Sequence, residues 1–380
     1  MGITGSDGLG IALPGSSIVI SAHGANRIGT RPCPDCYVCG LPGQPLYSDL
    51  QDRHFGAPGK WNLKKCPDPD CGLIWLDPMP TEEDIGRAYE HYYTHNVDTG
   101  DQFLQSSSFS IRLYLIKKSP LRPLLLFLRQ GYFASTFGYA PGTPLWQRLV
   151  SYGLYLFPRE VRRLAQQLRY AHFVPGGKLL DVGCGDGTFL AQMRDLGWEV
   201  EGVEVDPLAV EQVRKLNLPV HCGSLEQRSF ENNRFDVVSM NHVIEHIYNP
   251  LEVLKECYRI LKPGGMLIAI TPNTRSATHR KFKESCFHLD PPRHIHLFTS
   301  PALKNLASKA GFVVQMRTSA VGASWVYIES ELFARNHQSL KTCPQLFLSF
   351  KTLIFDLYES CLILRGKDSG EEIILQGVKQ

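Results

Sequence analysis

Between residues 159 and 318 the chain alternates short apolar runs with stretches whose apolar residues recur three and four apart. The runs Lys178–Val182, Glu199–Glu204, Phe235–Met240, Met266–Thr271 and Phe312–Thr318, with a short one at Val220, have the length of buried strands. Helical spacing fills the intervals: Arg159–Ala171, Thr188–Leu196, Leu208–Leu216, Leu251–Leu261 and Pro301–Ala310. Strand following helix in this way predicts a parallel sheet covered on both faces, with ligand at the strand C-terminal ends. Near the C-terminus, Leu346 to Leu364 is apolar but carries Lys351, Asp356 and Glu359, which suits an amphipathic helix rather than a membrane span. The run Glu371 to Val378 then predicts a last strand.

The first strand leads into Asp181-Val182-Gly183-Cys184-Gly185-Asp186-Gly187. Glycines there let the backbone turn tightly and approach a ligand where a Cβ would collide. The helix that follows offers its free N–H groups to whatever lies over the turn. A second strand ends in Glu204, placed where an acidic side chain can grip ribose hydroxyls. A nucleoside-type ligand is therefore expected.

The segments DVGCGDGTFL, GVEVDPLAV, FDVVSMNHVIEHIYNP and LKPGGMLIAITPN occur in this order at close spacing. Together they resemble the successive motifs of class I, Rossmann-like S-adenosylmethionine-dependent methyltransferases, over Gly176 to Phe312. NAD-dependent dehydrogenases are the nearest rival, but they carry G-x-G-x-x-G where this chain has G-C-G-D-G. The resemblance implies a seven-stranded, mostly parallel sheet with the last strand antiparallel. It implies that Asp181 and Gly183, Gly185 and Gly187 hold the amino-acid end of S-adenosylmethionine, Glu204 the ribose and Leu225 one face of the adenine. Ser224 stands where many relatives carry an acid toward the adenine. Asn241 and the following His242-Val243-Ile244-Glu245-His246 should floor the space beneath the sulfonium.

His246 is a candidate base for a hydroxyl acceptor, because an imidazole titrates near neutral pH; capping or orienting the next loop is its alternative role. His288 to His296 falls after the fifth strand, on the acceptor side, and His294 is the second catalytic candidate. His294 and His296 would share a face of an extended chain and could bind a metal, though no third ligand is evident.

Eleven cysteines in a chain without a recognisable secretory leader point to a reducing compartment and to metal rather than disulfides. Cys36, Cys39, Cys66 and Cys71 form two pairs, each followed by glycine, that can close a tetrahedral structural zinc site; Cys33 is a substitute ligand. The stretch CGLIWLDPMPTEEDIGRAYEHYY resembles the N-terminal ribbon of a bacterial methyltransferase group associated with cell-surface polysaccharide or lipid modification. A sugar, lipid or small-metabolite acceptor is the corresponding expectation.

A net charge of +3, from 40 basic and 37 acidic residues, gives no global field for nucleic acid. From Gln102 to Arg159, however, there is no acid among the basic and apolar residues, so segments 111–130 and 346–364 are expected to touch a membrane surface peripherally or to cap the core. A cytoplasmic protein, associated with the inner membrane face through these segments, is the resulting expectation. The start Met1-Gly2-Ile3-Thr4-Gly5-Ser6 also fits a myristoylation pattern, a short match of low specificity. The expected organisation is a Gly/Ser-rich tail (1–30), a zinc ribbon (31–80), a helical basic and apolar cap (81–158) and the cofactor-binding core (159–330). An amphipathic insertion (331–366) and the final core strand (367–380) complete it. A non-catalytic ribbon scaffold that binds the nucleoside is the non-enzymatic alternative.

Overall fold

The structure is a computed structural model that describes residues 27–90, 122–335 and 345–380. The Met1–Ser6 pattern, most of the Gly/Ser-rich tail, residues 91–121 of the cap and residues 336–344 of the insertion lie outside the described residues.

The N-terminal module is built of β1 (Thr30–Arg31), β2 (Gln44–Leu50), β3 (Trp61–Lys65), β4 (Ile74–Leu76) and β5 (Met79–Pro80). Helices α1 (Arg122–Phe137), α2 (Leu145–Ser151) and α3 (Pro158–Gln167) follow. The core then alternates β6 (Lys178–Val182), α4 (Thr188–Asp195), β7 (Glu199–Glu204), α5 (Pro207–Lys215) and β8 (Val220–Cys222). It continues through β9 (Phe235–Asn241), α6 (Pro250–Ile260), β10 (Leu261–Pro272), α7 (Ala277–Phe282), β11 (His296–Leu297), α8 (Ser300–Lys309) and β12 (Val313–Ser319). Last come α9 (Ala323–Ala334), α10 (Gln345–Leu364) and β13 (Glu372–Val378).

Seven strands form one sheet in the order β12-β13-β10-β9-β6-β7-β8. From β10 to β8 every pairing is parallel, and β13 lies antiparallel between β10 and β12. The order reverses between β6 and β9, and a crevice at such a reversal, outside the strand C-termini, is where open α/β sheets bind ligand. Alternate residues supply the two faces. Leu179, Val237 and Ile268 pack with Leu164, Leu190, Met193 and Val213 on one side. Leu180, Val238 and Leu267 pack with Leu254, Cys257, Leu303 and Leu306 on the other.

The fifth parallel strand is longer than its apolar run predicts. β10 starts at Leu261 and carries the Pro263-Gly264-Gly265 turn as an irregularity between Leu261 and Met266.

The N-terminal module shares this interior. Val38, Leu73 and Trp75 belong to the same buried cluster as α6 and α8. A second sheet, β11-β4-β3-β2, joins the two parts covalently distant in sequence: His296 pairs with Trp75 and Leu297 with Ile74.

The predicted amphipathic helix forms with its polarity reversed. In α10 the acids Asp356 and Glu359 point inward and are buried, while Ile354, Leu357 and Tyr358 are exposed. Arg159, from α3, reaches Asp356 at 3.0 Å, so the charges anchor the helix to the core. No helix among the described residues is long and apolar enough to cross a membrane.

Candidate functional site

The glycine turn between β6 and α4 needs backbone that only glycine adopts cheaply. Gly183 sits at φ 68°, and a Cβ there would strike Val243 at 2.4 Å. Gly185, at φ 54°, is different: a Cβ would meet nothing within 4 Å, because the loop faces open space. Gly187 precedes α4, whose first turn has no side-chain cap at that position.

Glu204 closes this loop from the end of β7. Its Oε2 accepts from the Gly185 N–H at 2.8 Å, and its Oε1 from Val205 and Asp206 at 2.8 and 3.0 Å. The carboxylate therefore fixes the glycine turn and, with lone pairs to spare, remains beside it for a diol.

Asp181 is fully buried. Ser239 donates to its Oδ1 at 2.7 Å and Arg169 makes an ion pair with the same oxygen. Oδ2 has no partner. Burial outweighs Arg169 and raises the Asp181 pKa. Arg169 itself lies 3.7 Å over the Phe189 ring, a cation placed where its charge is partly compensated by the ring. Leu225 is buried in the core cluster after β8, and Asn241 ends β9 half-buried at the crevice.

On the other side of the reversal the sequence singled out His246 and His294, and the structure brings them together. Their ring centroids are 4.8 Å apart. Glu245 completes a group with them in which the ligand atoms all lie within 4.8 Å of one another. His246 Nδ1 donates to the Arg293 carbonyl at 2.9 Å, with the Tyr89 hydroxyl 3.1 Å away. His294 Nδ1 donates to the His288 carbonyl at 2.8 Å. A carbonyl only accepts, so both rings carry hydrogen on Nδ1 and turn Nε2 toward the other ring and Glu245. Burial lowers the His246 pKa to about 4, which keeps that ring neutral.

The expectation that His294 and His296 share one face fails. Only His296 lies in a strand; it turns away to the Ile247 carbonyl at 3.0 Å, while His294 turns to Glu245. The cause is Arg293, which is fully buried. Its Nε donates to Asp290 at 2.9 Å, and its Nη1 to Asp52 and the Ala88 carbonyl at 2.7 and 3.0 Å. Asp52 belongs to the N-terminal module and also accepts from the main chain of residues 54, 55 and 57. The 288–296 segment is thus pinned to the module, and His294 is placed by that bond.

Two groups here have roles that spacing does not show, although His242 lies in the segment expected beneath the sulfonium. His242 occupies left-handed backbone at φ 54°, a strained position for a residue other than glycine. Glu245 and Glu372 flank its ring at 3.3 and 3.1 Å. Despite burial, these carboxylates raise its pKa to about 10, and Glu245 is held down at about 2. The second is Glu371, which accepts from Thr278 and lies 3.7 Å from His288. Residues on β13 were invisible as site residues because they reach the crevice only through the antiparallel insertion of that strand.

The four predicted zinc ligands converge. Cys36 and Cys71 Sγ are 3.6 Å apart and Cys39 and Cys66 Sγ 3.3 Å, near the spacing of about 3.8 Å that zinc–sulfur bonds of about 2.3 Å give in a tetrahedron. A proton shared with Cys71 lowers the Cys36 thiol to about 5. Cys33, the substitute, is not in this set; its carbonyl instead accepts from the Trp75 indole at 2.7 Å.

Residues 152–316 match a family described as a methyltransferase domain. A probable S-adenosylmethionine-dependent methyltransferase of Mycolicibacterium smegmatis is 30% identical over 149 residues, covering 39% of this chain and 56% of that protein. A ubiquinone biosynthesis O-methyltransferase of Aliivibrio fischeri is 35% identical over 118 residues, covering 29% of this chain and 50% of that one. The chain thus spans about half the length of the curated relatives it matches. A solved S-adenosylmethionine-dependent methyltransferase of Thermotoga maritima aligns over 60% of this chain and 98% of its own at 22% identity, with a TM-score of 0.37. Nothing in these matches supports the dehydrogenase alternative. The glycine turn, Glu204 and the Glu245–His246 pair all lie within the segment that matches the methyltransferase-domain family.

Proposed function

We propose that this protein transfers the methyl group of S-adenosylmethionine to a hydroxyl oxygen of a sugar, lipid or small-metabolite acceptor. The observation that carries the reading is the juxtaposition of two unlike halves at the strand reversal. One is a glycine turn closed by Glu204; the other is the group formed by His246, His294 and Glu245. S-adenosylmethionine supplies an activated methyl carbon, so the protein's task is positioning and, for a hydroxyl, proton removal. Gly183, Gly185, Gly187 and Glu204 would hold the cofactor, with Asp181 Oδ2 and Asn241 beside it. The Nε2 atom of His246 or His294 would accept the acceptor's hydroxyl proton, and the Nδ1–H bond to a main-chain carbonyl keeps each ring in the accepting tautomer. A ubiquinone O-methyltransferase among the relatives is compatible with an oxygen acceptor. Structural zinc in the Cys36, Cys39, Cys66 and Cys71 set would hold the module against which the 288–296 segment is pinned. The exposed apolar residues Leu124, Leu126, Trp146, Leu149, Leu156 and Phe157 favour contact of α1, α2 and the following turn with a membrane surface.

Calorimetry with S-adenosylmethionine and NAD tests the cofactor assignment. Heat of binding with the first and none with the second is expected; the reverse would sink the reading.

A further inference from the structure

Three buried hydrogen-bond acceptors face one another between β9 and the 288–296 segment. Each ring's Nδ1 is committed to a main-chain carbonyl, which leaves Nε2 as the atom that His246 and His294 can offer a metal. Glu245 is fully buried; its Oε1 lies 3.3 Å from His242 Nδ1 and its Oε2 accepts from Thr271 at 2.9 Å. His294 Nε2 lies 4.0 Å from that Oε1 and 3.9 Å from Asp290 Oδ2. A carboxylate and two imidazoles whose ligand atoms converge in this way form a donor set that a cation stabilises. His242 supplies positive charge on one flank only, 3.3 Å from Glu245, and Glu372 already shares it.

Charge around the cluster points the same way. The four carboxylates of Glu245, Glu372, Asp290 and Asp52 face three basic side chains, His242, His294 and Arg293. A carboxylate surplus remains.

We propose that Glu245, His246 and His294 form a second metal site, distinct from the four cysteines, that takes a divalent first-row cation. Two imidazoles and one carboxylate are the donor set of zinc and iron sites that keep an open coordination position. Both histidines also have the outer-shell carbonyl partners that metal-bound imidazoles require. Tetrahedral bonds of about 2.1 Å set ligand atoms about 3.4 Å apart, so a pair at the present limit of 4.8 Å closes by about 1.4 Å on binding. With both Nε2 atoms on the metal neither ring would be the base; the metal itself would make a bound acceptor hydroxyl lose its proton more readily. That acceptor role rests on the methyl-transfer reading, whereas the metal site itself does not.

The test is the zinc content of the full chain after zinc loading and gel filtration. About two zinc ions per chain are expected in the unmodified protein, and about one in each of two variants. Cys36→Ser with Cys71→Ser should lose the ribbon zinc, and His246→Asn with His294→Asn the second. A single equivalent in the unmodified protein overturns the proposal, as do two in a folded histidine variant. If the histidine variant does not fold, the cysteine variant decides: one equivalent supports the site and none removes it. S-adenosylmethionine binding is measured on the same samples, so loss of the cofactor reading and loss of the metal reading are told apart.

Discussion

On the β6–β7 side of the sheet's reversal, Glu204 accepts three main-chain N–H groups from residues within twenty positions of it. On the β9–β10 side, His246 and His294 meet only because Arg293 ties their segment to Asp52, 241 residues away in sequence. One half of the crevice is a local device and the other is a product of the whole fold. The local half has most of its charges satisfied by nearby backbone and by Arg169. The assembled half holds a cluster of buried acids: Glu245, Glu371, Glu372 and, from α10, Glu359. A cofactor common to many acceptors needs only the first half. In the proposed reading acceptor choice falls to the second, which the N-terminal module and the C-terminal helices build together.

Removing the joint is expected to have the largest effect. Arg293→Met leaves Asp52 and Asp290 buried without their cation and should cost about 3–5 kcal/mol of stability. Arg293→Lys should recover little, since one ammonium cannot replace the forked donors. Thermal unfolding of both variants checks this, and a loss well below about 1 kcal/mol would mean that the module and the segment dock by apolar contact alone.

The local half should respond in affinity. Glu204→Ala is expected to weaken S-adenosylmethionine binding by about 1–3 kcal/mol, because a charge-assisted acceptor and the support of the Gly185 loop are lost together. Calorimetry measures it, and unchanged affinity would transfer the ribose role to Asp206.

A smaller effect, visible only through pH, separates the halves further. Burial, with Glu371 beside it, pushes Glu359 up to about 10. An acid raised in the folded state contributes most below its ordinary value of 4.5 and loses that contribution as pH climbs toward the raised one. Glu359→Gln should therefore leave stability near parity at pH 5 and raise it by on the order of 2 kcal/mol at pH 8. Denaturant titrations at both pH values test the sign; an equal change at the two would remove the buried-acid account.

The smallest expected effect is at Gly185. Alanine there meets no neighbour but must adopt left-handed backbone, so Gly185→Ala should cost about 1–2 kcal/mol in stability. Gly183→Ala should cost more, because the new methyl also collides with Val243.

Periodicity located the strands and helices of the core because a buried parallel sheet imposes uninterrupted apolar runs, as in Lys178–Val182. The cofactor half was legible for the same reason that it is local: turn, helix start and acid lie on consecutive elements. The four cysteines were legible from pair spacing. His294 was found by its position after the fifth strand, but its partner Glu245 was not, since nothing in sequence couples residues 245 and 294. Nor could spacing show that His296 would be drawn into a strand beside Trp75, or that the acids of α10 would turn inward. Those features depend on pairings between distant segments, where hydrophobic pattern carries no register information.

The most direct test of the division is methyl transfer from labelled S-adenosylmethionine into the small-molecule and lipid fractions of a cell extract. The unmodified protein should label an acceptor. His246→Ala with His294→Ala should reduce that labelling by about 10²–10⁴-fold while leaving cofactor affinity unchanged. Undiminished transfer by the double variant, or loss of cofactor binding together with transfer, would contradict an acceptor half that is built and acts separately from the cofactor half.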